Sequence, residues 1–437
     1  MTELEQALDD LRRLHPRKID LGLDRIETVL ESLGRPQDRM PPSIHVAGTN
    51  GKGSTVALLR AMLEASGARV HVYTSPHLVR FNERIVVAGE EIADAKLINV
   101  LRRVRTANGD APLSFFEATT AAAFLAFAEA EADYAIIEVG LGGRYDATNV
   151  FTPTLTAITP VDFDHAEFLG RELAGIAREK AGIVKSGVPV VTAPQRAEAQ
   201  AVMDRVAEDA RAPISRSGED FRAYRQQGRL VYETDTELLD LPLPALAGEH
   251  QIMNAGVAIT LARALGLNAE AIGHGLQSAR WPARLQPLKT GPLVDIAKDA
   301  GAEIWLDGGH NPHAARALST HMARLESRSA KPLVLVMGIL ANKNAGAFLD
   351  YFEGLAAGLV AVDIDDHASL SPDVLSELAG ARGLATVVGN NLTDAVQKAV
   401  NMGEALSRQT VEEPIIPPRV LICGSLYLAG QVLAENG

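Results

Sequence analysis

The sequence has little of what marks secreted, membrane-spanning or nucleic-acid-binding proteins. Cys423 is the single cysteine in 437 residues, which excludes an intrachain disulfide and a multi-cysteine metal site and is consistent with a reducing cytoplasm. Acidic residues outnumber basic residues by 55 to 42, so a broad basic surface for nucleic acid is not expected. The most apolar stretches, such as 118–130 and 332–341, are shorter than the roughly 20 residues that a membrane span requires.

The composition that is present is ordinary for a globular protein. Apolar residues make up 47% of the chain and charged residues 22%, so neither a disordered nor a fibrous protein is indicated. Residues 1–15 have the pattern of a charged amphipathic helix, without the apolar segment of a signal peptide. We therefore expect a cytoplasmic protein with no membrane partner and no nucleic-acid partner.

Short β-branched runs alternate with helical patterns, which predicts an α/β fold with a mostly parallel sheet. In the first half of the chain, strands are predicted near 43–48, 69–74, 134–140, 155–159 and 188–193, and helices near 54–66, 93–106, 116–131 and 171–184. Residues 215–242 interrupt the alternation with extended segments around a turn, and they predict a small antiparallel region.

The chain is longer than one hydrophobic core usually organises, so two domains are expected. The alternation restarts near residue 284, with strands near 303–307, 333–338, 359–364 and 419–423 and helices near 313–326, 344–356, 372–380 and 392–404. Two prolines within 280–288 end the preceding helix and stiffen the joint. We predict domains of residues 1–283 and 284–437, with a cleft between them.

The stretch HVAGTNGKGSTVALL, residues 45–59, predicts a phosphate-binding site. A short strand runs into Gly48, Gly51 and Gly53, which let backbone N–H groups converge on phosphate oxygens. Lys52 supplies a cation, and the helix that follows presents its positive end to an anion. The spacing departs from the common G-x-x-x-x-G-K-[ST] pattern, and the alternative is a tight turn with an exposed lysine. We call residues 48–55 the phosphate loop.

Two further residues at predicted strand ends are candidates for a magnesium site. Ser75 follows the second strand, where a hydroxyl could face phosphates or Mg²⁺ or could only cap a turn. Glu138 lies near the end of a strand that is otherwise apolar on both faces, and a carboxylate there needs a balancing cation. Mg²⁺ is the natural partner, and a buried Glu–Arg pair is the alternative.

Other polar residues give weaker signals on their own. His165 follows the next strand in a loop with two aspartates, and although imidazole and carboxylate can ligate a divalent ion, a lone histidine is more often structural. Lys180 is an ammonium without an acceptor, so its residue type predicts an ordinary helix-surface position. Asp307 at a strand end is placed to accept from a ribose hydroxyl, and His310 to contact phosphate. Asn254 indicates only capping-type polar chemistry.

Together these motifs resemble the folylpolyglutamate synthase and dihydrofolate synthase family, a branch of the Mur-ligase-like amide ligases. The motifs occur in family order between residues 19 and 430: IDLGLDRI, HVAGTNGKGST, YTSPHLVRFNERI, SFFEATT, EVGLGGRYDATN, DFDHAEFLG, IAREKAGIVK, HQIMNA, WPARLQ, LDGGHNPHAA and CGSLYLAG. The family's phosphate loop has the form G-T-N-G-K-G-[ST], which explains the unusual spacing. The resemblance implies an N-terminal Mur-ligase-like P-loop ATPase domain and a smaller, Rossmann-like α/β C-terminal domain.

The resemblance implies an ATP-dependent ligase in which a folate-type carboxylate is activated as an acyl phosphate and captured by the amine of L-glutamate. A bifunctional member adds glutamate to dihydropteroate and to tetrahydrofolates, and a monofunctional folylpolyglutamate synthase is the alternative. A peptidoglycan-type Mur ligase is disfavoured because no extra uridine-nucleotide domain is evident. A non-catalytic nucleotide-binding module would leave Glu138, His165 and Lys180 unexplained. The partners implied are small molecules, and the expected state is a monomer.

Site residues carry over position by position. The resemblance assigns ATP binding to Thr49, Asn50, Gly51, Lys52, Gly53, Ser54, Asn254, Arg284, Asp307 and His310. It assigns one Mg²⁺ to Ser75 and Glu138, and a second to His165 and Lys180, whose carbamylation would turn the amine into a carboxylate-bearing group. The implied catalytic set is Lys52, Glu138, His165 and Lys180. The implied pterin and pteroate contacts are Asp20, Leu21, Gly22, Ser114, Phe115, Phe116, Glu117, Tyr145 and Asp146.

Overall fold

The computed structural model describes residues 2–14, 22–365, 367–410 and 416–436. The chain divides into two compact units, the first made of Met1–Ala245 and His250–Arg280 and the second of Leu246–Glu249 and Trp281–Gly437. No helix in these described ranges is both long enough and apolar enough to cross a membrane.

The first unit is built on an eight-stranded sheet within its described residues. Its strands are β1 (Ser43–Ala47), β2 (Val70–Tyr73), β3 (Ile85–Val87), β4 (Glu90–Glu91), β5 (Tyr134–Glu138), β6 (Leu155–Ile158), β7 (Val190–Thr192) and β8 (Ile214–Arg216). Their order is β4-β3-β2-β5-β1-β6-β7-β8. All neighbours pair in parallel except β2 with β3 and β3 with β4. Since β1 is central and paired in parallel with β5, the carboxyl ends of these two strands lie side by side.

Helices cover this sheet. They are α1 (Glu3–Arg12), α2 (Asp24–Ser32), α3 (Lys52–Ala65), α4 (Asp94–Asn108), α5 (Phe115–Ala128), α6 (Ala166–Leu169), α7 (Leu173–Ala181), α8 (Ala197–Asp209), α9 (His250–Ala264) and α10 (Ala269–Ser278), with 3-10 turns at Pro36–Arg39 and Phe81–Arg84. The alanine-rich helix α5 is buried along nearly its whole length, because small side chains allow close packing against several neighbours at once.

A separate antiparallel sheet lies in the region where the sequence breaks its alternation. It consists of β9 (Phe221–Gln226), β10 (Arg229–Thr234) and β11 (Leu238–Leu241), with β10 in the centre. Phe221 and Tyr232 stack on its inner face, and the Tyr232 hydroxyl lies 3.1 Å from the Thr260 hydroxyl on α9. These contacts attach the small sheet to the first unit.

The second unit has a six-stranded sheet among its described residues, in the order β12-β13-β17-β14-β15-β16. Its strands are β12 (Gln286–Leu288), β13 (Glu303–Leu306), β14 (Leu333–Met337), β15 (Ala356–Ala361), β16 (Ala385–Val388) and β17 (Arg419–Cys423). Its helices are α11 (Pro292–Lys298), α12 (Pro312–Arg328), α13 (Ala345–Leu349), α14 (Pro372–Gly380), α15 (Leu392–Thr410) and α16 (Leu426–Asn436), with a 3-10 turn at Asp350–Phe352. Among these six described strands, only β12 pairs antiparallel.

The predicted fold class is confirmed, since both units are α/β and both large sheets are mostly parallel. The helix predicted near 344–356 is wrong in extent: α13 has five residues and β15 already begins at Ala356. Gly354 has a φ of +70°, and this left-handed conformation turns the chain out of its helical path and into the strand.

Candidate active site

Two glycines of the phosphate loop are required by their surroundings. Gly48 has a φ of +145°, and a Cβ there would collide with the hydroxyl of Thr159. Gly51 has a φ of +88°, and a Cβ there would lie 2.5 Å from Asn254 Oδ1. A side chain is disfavoured at both positions, because φ is positive and because no space is left for a Cβ. The loop therefore packs tightly between the residue after β6 and the helix α9.

Helix α3 begins at Lys52, two residues earlier than predicted. The first intrahelical amide is that of Thr55, which donates to Gly51 O over 2.9 Å. The amides of Lys52, Gly53 and Ser54 stand in the first turn, where an α-helix provides no carbonyl partner for them. These three amides and the positive end of the helix form the part of the loop suited to an anion.

The amides at the start of the phosphate loop are engaged elsewhere. Thr49 N and Asn50 N donate to Pro160 O, over 2.9 and 3.3 Å. The Thr49 hydroxyl lies 3.0 Å from both the amide and the carbonyl of Asp162. This part of the loop is therefore fixed against the segment after β6, and its main-chain donors are used for that attachment.

Lys52 lies against the buried carboxylate of Glu138. Its Nζ donates to Gly48 O over 3.2 Å and to Thr49 O over 3.3 Å, and it is 3.9 Å from Glu138 Oε1. Glu138 is 5% exposed at the end of β5. The buried carboxylate thus has a cationic neighbour, as its cost of burial requires, and that neighbour is a lysine of the phosphate loop.

Lys180 is buried beside the same loop, so the prediction of an ordinary surface position from its residue type is wrong. Its spacing from Leu173, Ile176 and Ala177 places it on the inward face of α7. Its Nζ donates to Gly48 O over 3.0 Å. Burial, and then the charge of Lys52, lowers the pKa of Lys180 from 10.5 to about 7. A large fraction of this amine is neutral near pH 7.

Residues 139–149, which we call the glycine loop, cross from β5 to the end of α7. A Cβ at Gly143 would lie 2.7 Å from Glu179 O, and Arg144 N donates to that same oxygen over 2.8 Å. A Cβ at Gly140 would collide with the ring of Phe116. The glycines therefore let the loop lie directly on the helix that carries Lys180 and under an aromatic ring of α5.

Two adjacent residues of this loop face in opposite directions. Tyr145 is 43% exposed, with the Arg144 guanidinium 5.1 Å from its ring centre. Asp146 is buried: its Oδ2 accepts from Leu141 N over 2.7 Å, and its Oδ1 accepts from the amide and hydroxyl of Thr148. Burial raises the pKa of Asp146 and these hydrogen bonds oppose the rise. Both carboxylate oxygens are thus used inside the loop.

The predicted contacts at 114–117 form the start of α5. Ser114 and Glu117 make a capping box, with Glu117 N 3.3 Å from Ser114 Oγ and Ser114 N 2.7 Å from Glu117 Oε2. Glu117 is also ion-paired with Arg25 over 2.9 Å. Phe115 and Phe116 follow the cap and are partly exposed. Of the predicted contacts further upstream, Gly22 is described and half-buried, and Asp20 and Leu21 lie outside the described residues.

The remaining predicted metal residues stand apart from any preformed carboxylate cluster. His165 has a φ of +51° at the start of α6, and its amide donates to Asp164 Oδ1 over 2.8 Å. Asp162 is 3.3 Å from Arg196, and Ser75 is half-buried after β2. Within the described ranges, no group of three or more His, Cys, Asp and Glu side chains is arranged to hold a metal ion.

Helix α9 reaches the phosphate loop through two amide side chains. Asn254 Nδ2 donates to Gln251 Oε1 over 3.0 Å, and Gln251 Nε2 donates to Ser54 Oγ over 3.2 Å. Both residues are buried. This chain of hydrogen bonds fixes the Asn254 side chain next to Gly51, where it stands against the turn of the loop.

In the second unit, Asp307 orders a strained turn that carries Arg284. Ala283 and Leu285 have φ values of +54° and +43°, a conformation that costs side-chain-bearing residues free energy. Asp307 Oδ2 accepts from Leu285 N and its Oδ1 accepts from Gly309 N, both over 2.7 Å. Burial raises the pKa of Asp307, while Arg284 opposes the rise. The carboxylate is held by backbone amides on two sides.

His310 follows the same strand end. Its Nδ1 lies 3.0 Å from Gly308 O, and Asn311 caps α12 by accepting from Ala314 N over 2.9 Å. The turn between β13 and α12 thus brings Asp307 and His310 together at one edge of the second sheet.

Comparison with known proteins decides the family. Residues 46–262 match the Mur ligase middle domain, and residues 294–412 match the Mur ligase glutamate ligase domain. The folylpolyglutamate synthase of Lacticaseibacillus casei is 35% identical over 427 residues, covering 93% of this chain and 92% of that protein. The chain belongs to the folylpolyglutamate synthase and dihydrofolate synthase family.

Solved structures of this family of ATP-dependent amide ligases match along nearly the whole chain. Escherichia coli FolC in complex with DHPP and ADP has a TM-score of 0.84 at 30% identity, covering 99% of this chain and 97% of that one. The bifunctional folylpolyglutamate synthase/dihydrofolate synthase of Yersinia pestis, complexed with AMPPNP and a Mn ion, has a TM-score of 0.83 at 30% identity, covering 99% and 98%. The chain is therefore an ATP-dependent ligase with the Mur ligase fold.

Sequence reasoning missed several residues that shape the site of this ligase. Pro160 O holds the start of the phosphate loop, Gln251 fixes Asn254, and Thr148 binds Asp146. The spacing of Gln251 and Asn254 on one face of α9 was a usable signal. Nothing in the local sequence around Pro160 indicates its contact, because that contact joins segments distant in the chain. The contact between Thr148 and Asp146 is local, since the two residues are two positions apart, and an aspartate that binds backbone two residues further on is a usable turn signal.

Proposed function

We propose that this ligase uses ATP to attach L-glutamate to dihydropteroate, giving dihydrofolate, and to tetrahydrofolate (poly)glutamates. A carboxylate oxygen of the folate substrate attacks the γ-phosphorus of ATP, and the bond to the bridging oxygen breaks to release ADP. The neutral amine of glutamate then attacks the carbonyl carbon of the acyl phosphate. The C–N bond forms, the C–O bond to phosphate breaks, and the proton lost by the nitrogen leaves with phosphate. The enzyme is expected to act as a monomer on these small molecules.

This proposal rests on one observation: two lysine side chains donate hydrogen bonds to the same backbone carbonyl. Lys52 and Lys180 both donate to Gly48 O, over 3.2 and 3.0 Å, and Lys52 is 3.9 Å from Glu138. Phosphoryl transfer to a carboxylate develops negative charge on closely spaced oxygens, which fixed donors and cations stabilise. A simple nucleotide-binding loop does not require a second buried amine and a buried carboxylate at the same place.

The ATP phosphates are assigned to residues 49–54. The amides of Lys52, Gly53 and Ser54 and the Lys52 ammonium would bind phosphate oxygens, and Thr49 and Asn50 would hold the loop open through their bonds to Pro160. Asn254 is assigned to the nucleotide from α9. In the second unit, the same role is assigned to Arg284, Asp307 and His310.

Two Mg²⁺ sites belong to the proposal, with Ser75 and Glu138 at one and His165 and Lys180 at the other. An ammonium has no lone pair for a metal, so the donor set fits only if Lys180 is carbamylated. The buried amine, with a pKa of about 7, suits that change: the neutral nitrogen attacks carbon dioxide and releases a proton, which leaves a carbamate with carboxylate-type oxygens. Bound Mg²⁺ would neutralise charge on the phosphate oxygens.

The pterin and pteroate contacts are assigned to the surface around the glycine loop. Phe116 lies against Gly140 of this loop and is partly exposed, and Tyr145 within the loop is 43% exposed. Phe115, beside Phe116 at the start of α5, is also partly exposed. Aromatic rings of this kind are suited to stacking on a flat heterocycle. Ser114 and Glu117 act by fixing the start of α5, and Asp146 acts by ordering the loop. The upstream segment that contains Asp20, Leu21 and Gly22 completes the assigned contacts.

The test is ATP- and glutamate-dependent product formation, measured by mass spectrometry with dihydropteroate and tetrahydrofolate offered separately. Glutamylated products from both substrates would support the bifunctional enzyme. Product from tetrahydrofolate alone would leave the alternative, a monofunctional folylpolyglutamate synthase. No product from either substrate, with ADP still bound by the same preparation, would contradict both. The Lys52→Ala variant is the negative control.

A further inference from the structure

Three buried polar side chains form a chain of hydrogen bonds between β1 and the glycine loop. His45, Thr148 and Asp146 are each no more than 2% exposed. His45 Nε2 lies 2.9 Å from Thr148 Oγ1, and Thr148 Oγ1 donates to Asp146 Oδ1 over 2.5 Å. The three residues come from two segments about 100 positions apart, so the chain is a tertiary contact and not a local turn.

The hydrogens of this chain follow from its donors and acceptors. Thr148 has one hydroxyl hydrogen and gives it to Asp146, so its oxygen accepts from the Nε2–H of His45. His45 is then the neutral Nε2–H tautomer, and its Nδ1 has no partner among the described residues. Burial, and then the charge of Lys185, lowers the pKa of His45 to about 3, which keeps the ring neutral.

Both ends of this chain of hydrogen bonds lie in segments next to residues that are assigned to the reaction. Asp146 also accepts from Leu141 N over 2.7 Å, which fixes the glycine loop shortly after Glu138. The same loop is attached to α7, one residue before Lys180, by the bond from Arg144 N to Glu179 O. At the other end, His45 precedes the phosphate loop on β1.

Stability alone gives no reason for a histidine at position 45. Every residue of β1 is buried, and the neighbours Ile44 and Val46 are apolar. A buried ring nitrogen without a partner is unfavourable, whereas an apolar side chain would fill the space without that cost. The His45 ring also packs against Phe151, with the ring centroids 5.0 Å apart, but an apolar side chain can replace that packing. What only a polar side chain adds at this position is the hydrogen bond to Thr148.

We propose that His45 and Thr148 are positioning residues for the ligation: through Asp146 they hold the glycine loop in the shape that places Glu138 and Lys180 for the reaction. This inference rests on the proposed function, which assigns the reactive roles to those two groups. Neither His45 nor Thr148 is assigned any contact with substrate.

The first test compares Thr148→Val, which keeps the shape and removes the hydroxyl, with Thr148→Ser, which keeps the hydroxyl. In Thr148→Val we expect kcat to fall by about tenfold to 100-fold, because small misplacements of reacting groups have effects of this size, with little change in KM for ATP. We also expect faster amide hydrogen exchange in residues 139–149. Thr148→Ser should keep most of the wild-type kcat and most of the wild-type protection from exchange in residues 139–149.

A second variant covers the case in which Thr148→Val fails to fold. His45→Leu removes the donor and also the unpaired Nδ1, so its Tm should equal or exceed that of the wild type while kcat falls and exchange in residues 139–149 increases. Thr156→Val is the matched control. Thr156 lies opposite His45 in the β1–β6 pairing, and its buried hydroxyl has no partner among the described residues, so kcat and exchange should not change.

The outcomes separate this inference from the proposed function. If Thr148→Val and His45→Leu lower only Tm and leave kcat unchanged, the chain is structural and the inference is overturned. A lower kcat with unchanged exchange in residues 139–149 also overturns it, because the loop is then not what these residues hold. If the wild type makes no glutamylated folate, the proposed function fails, and the exchange measurement still shows whether the chain orders the loop.

Discussion

The side-chain nitrogen of Lys180 donates to the carbonyl oxygen of Gly48 over 3.0 Å, so the last turn of α7 is joined to the first residue of the phosphate loop. The same oxygen accepts from Lys52 over 3.2 Å, which brings two amines to one acceptor. Like charges this close disfavour the second charge, and the more buried Lys180 has the lowered pKa. The site can therefore hold an ammonium and a neutral amine side by side near pH 7.

Replacing Lys52 by alanine should abolish measurable turnover and leave the fold intact. We expect kcat to fall by at least about 100-fold, because the proposed donor to the transferred phosphoryl group is removed. The test compares kcat at saturating ATP and the thermal unfolding of Lys52→Ala with those of the wild type. Lys298→Ala, which removes a lysine side chain that is 73% exposed, should leave both unchanged. Near-wild-type turnover in Lys52→Ala would remove the phosphate assignment.

Replacing Lys180 by alanine should inactivate the enzyme in a way that small carboxylic acids partly reverse. If a carbamate on Lys180 is the required group, acetate or formate can place a carboxylate in the space that the side chain leaves. Activity is measured with increasing acid at constant ionic strength. The same acids should not restore Lys52→Ala, whose missing group is a cation. A Lys180→Ala enzyme that is active without added acid would contradict the role.

The unmodified Lys180 amine should make stability depend on pH. Its pKa is 10.5 in the unfolded chain and about 7 in the folded protein, so between these values the unfolded chain binds more protons. The free energy of unfolding should therefore rise as the pH increases through this interval. Urea unfolding in buffer free of carbon dioxide tests this by difference, because Lys180→Met should lack this contribution. A constant difference between the two proteins across the interval would contradict the buried, titrating amine.

The fold could be predicted from the sequence where the pattern of apolar residues is strong. The buried run around β5 and the alternation after residue 284 predict strands that the structure contains. The short strands β3 and β4 at one end of the first sheet, with three and two residues, carry too little pattern to be recognised. The strand character of β3 depends on pairing with β2, which is a tertiary contact, and that of β4 depends on pairing with β3.

The site could be predicted from the sequence only in part, because the type of a residue does not determine which way its side chain points. Lys52 and Glu138 were singled out, and the structure brings them within 3.9 Å. Asp146 was grouped with Tyr145 as a substrate contact, and this stays a prediction; the structure shows that Tyr145 is exposed whereas Asp146 is buried and accepts from Leu141 and Thr148. The way the glycine loop folds back on itself determines which of the two side chains is buried.

Gly51 in the phosphate loop and Gly67 after α3 have nearly the same backbone conformation. Comparing their alanine variants therefore separates the cost of backbone strain from an effect on nucleotide binding. Gly51 has a φ of +88° and Gly67 has a φ of +91°, but a Cβ at Gly51 would lie 2.5 Å from Asn254 Oδ1, whereas nothing lies within 4 Å of a Cβ at Gly67. Both Gly51→Ala and Gly67→Ala should lose about 1 kcal/mol of stability from the left-handed conformation.

Only Gly51→Ala should also weaken nucleotide binding, because the methyl group pushes Asn254 away from the loop and breaks its contact with Gln251. We expect ADP affinity, measured by calorimetry, to fall by about tenfold, which corresponds to roughly 1.4 kcal/mol, and to remain unchanged in Gly67→Ala. Urea unfolding of both variants measures the shared loss, and Gly51→Ala should lose more because it also breaks a buried hydrogen bond. Equal ADP affinities in the two variants would show that Asn254 takes no part in holding the nucleotide, since the backbone strain is shared and only the displacement of Asn254 differs.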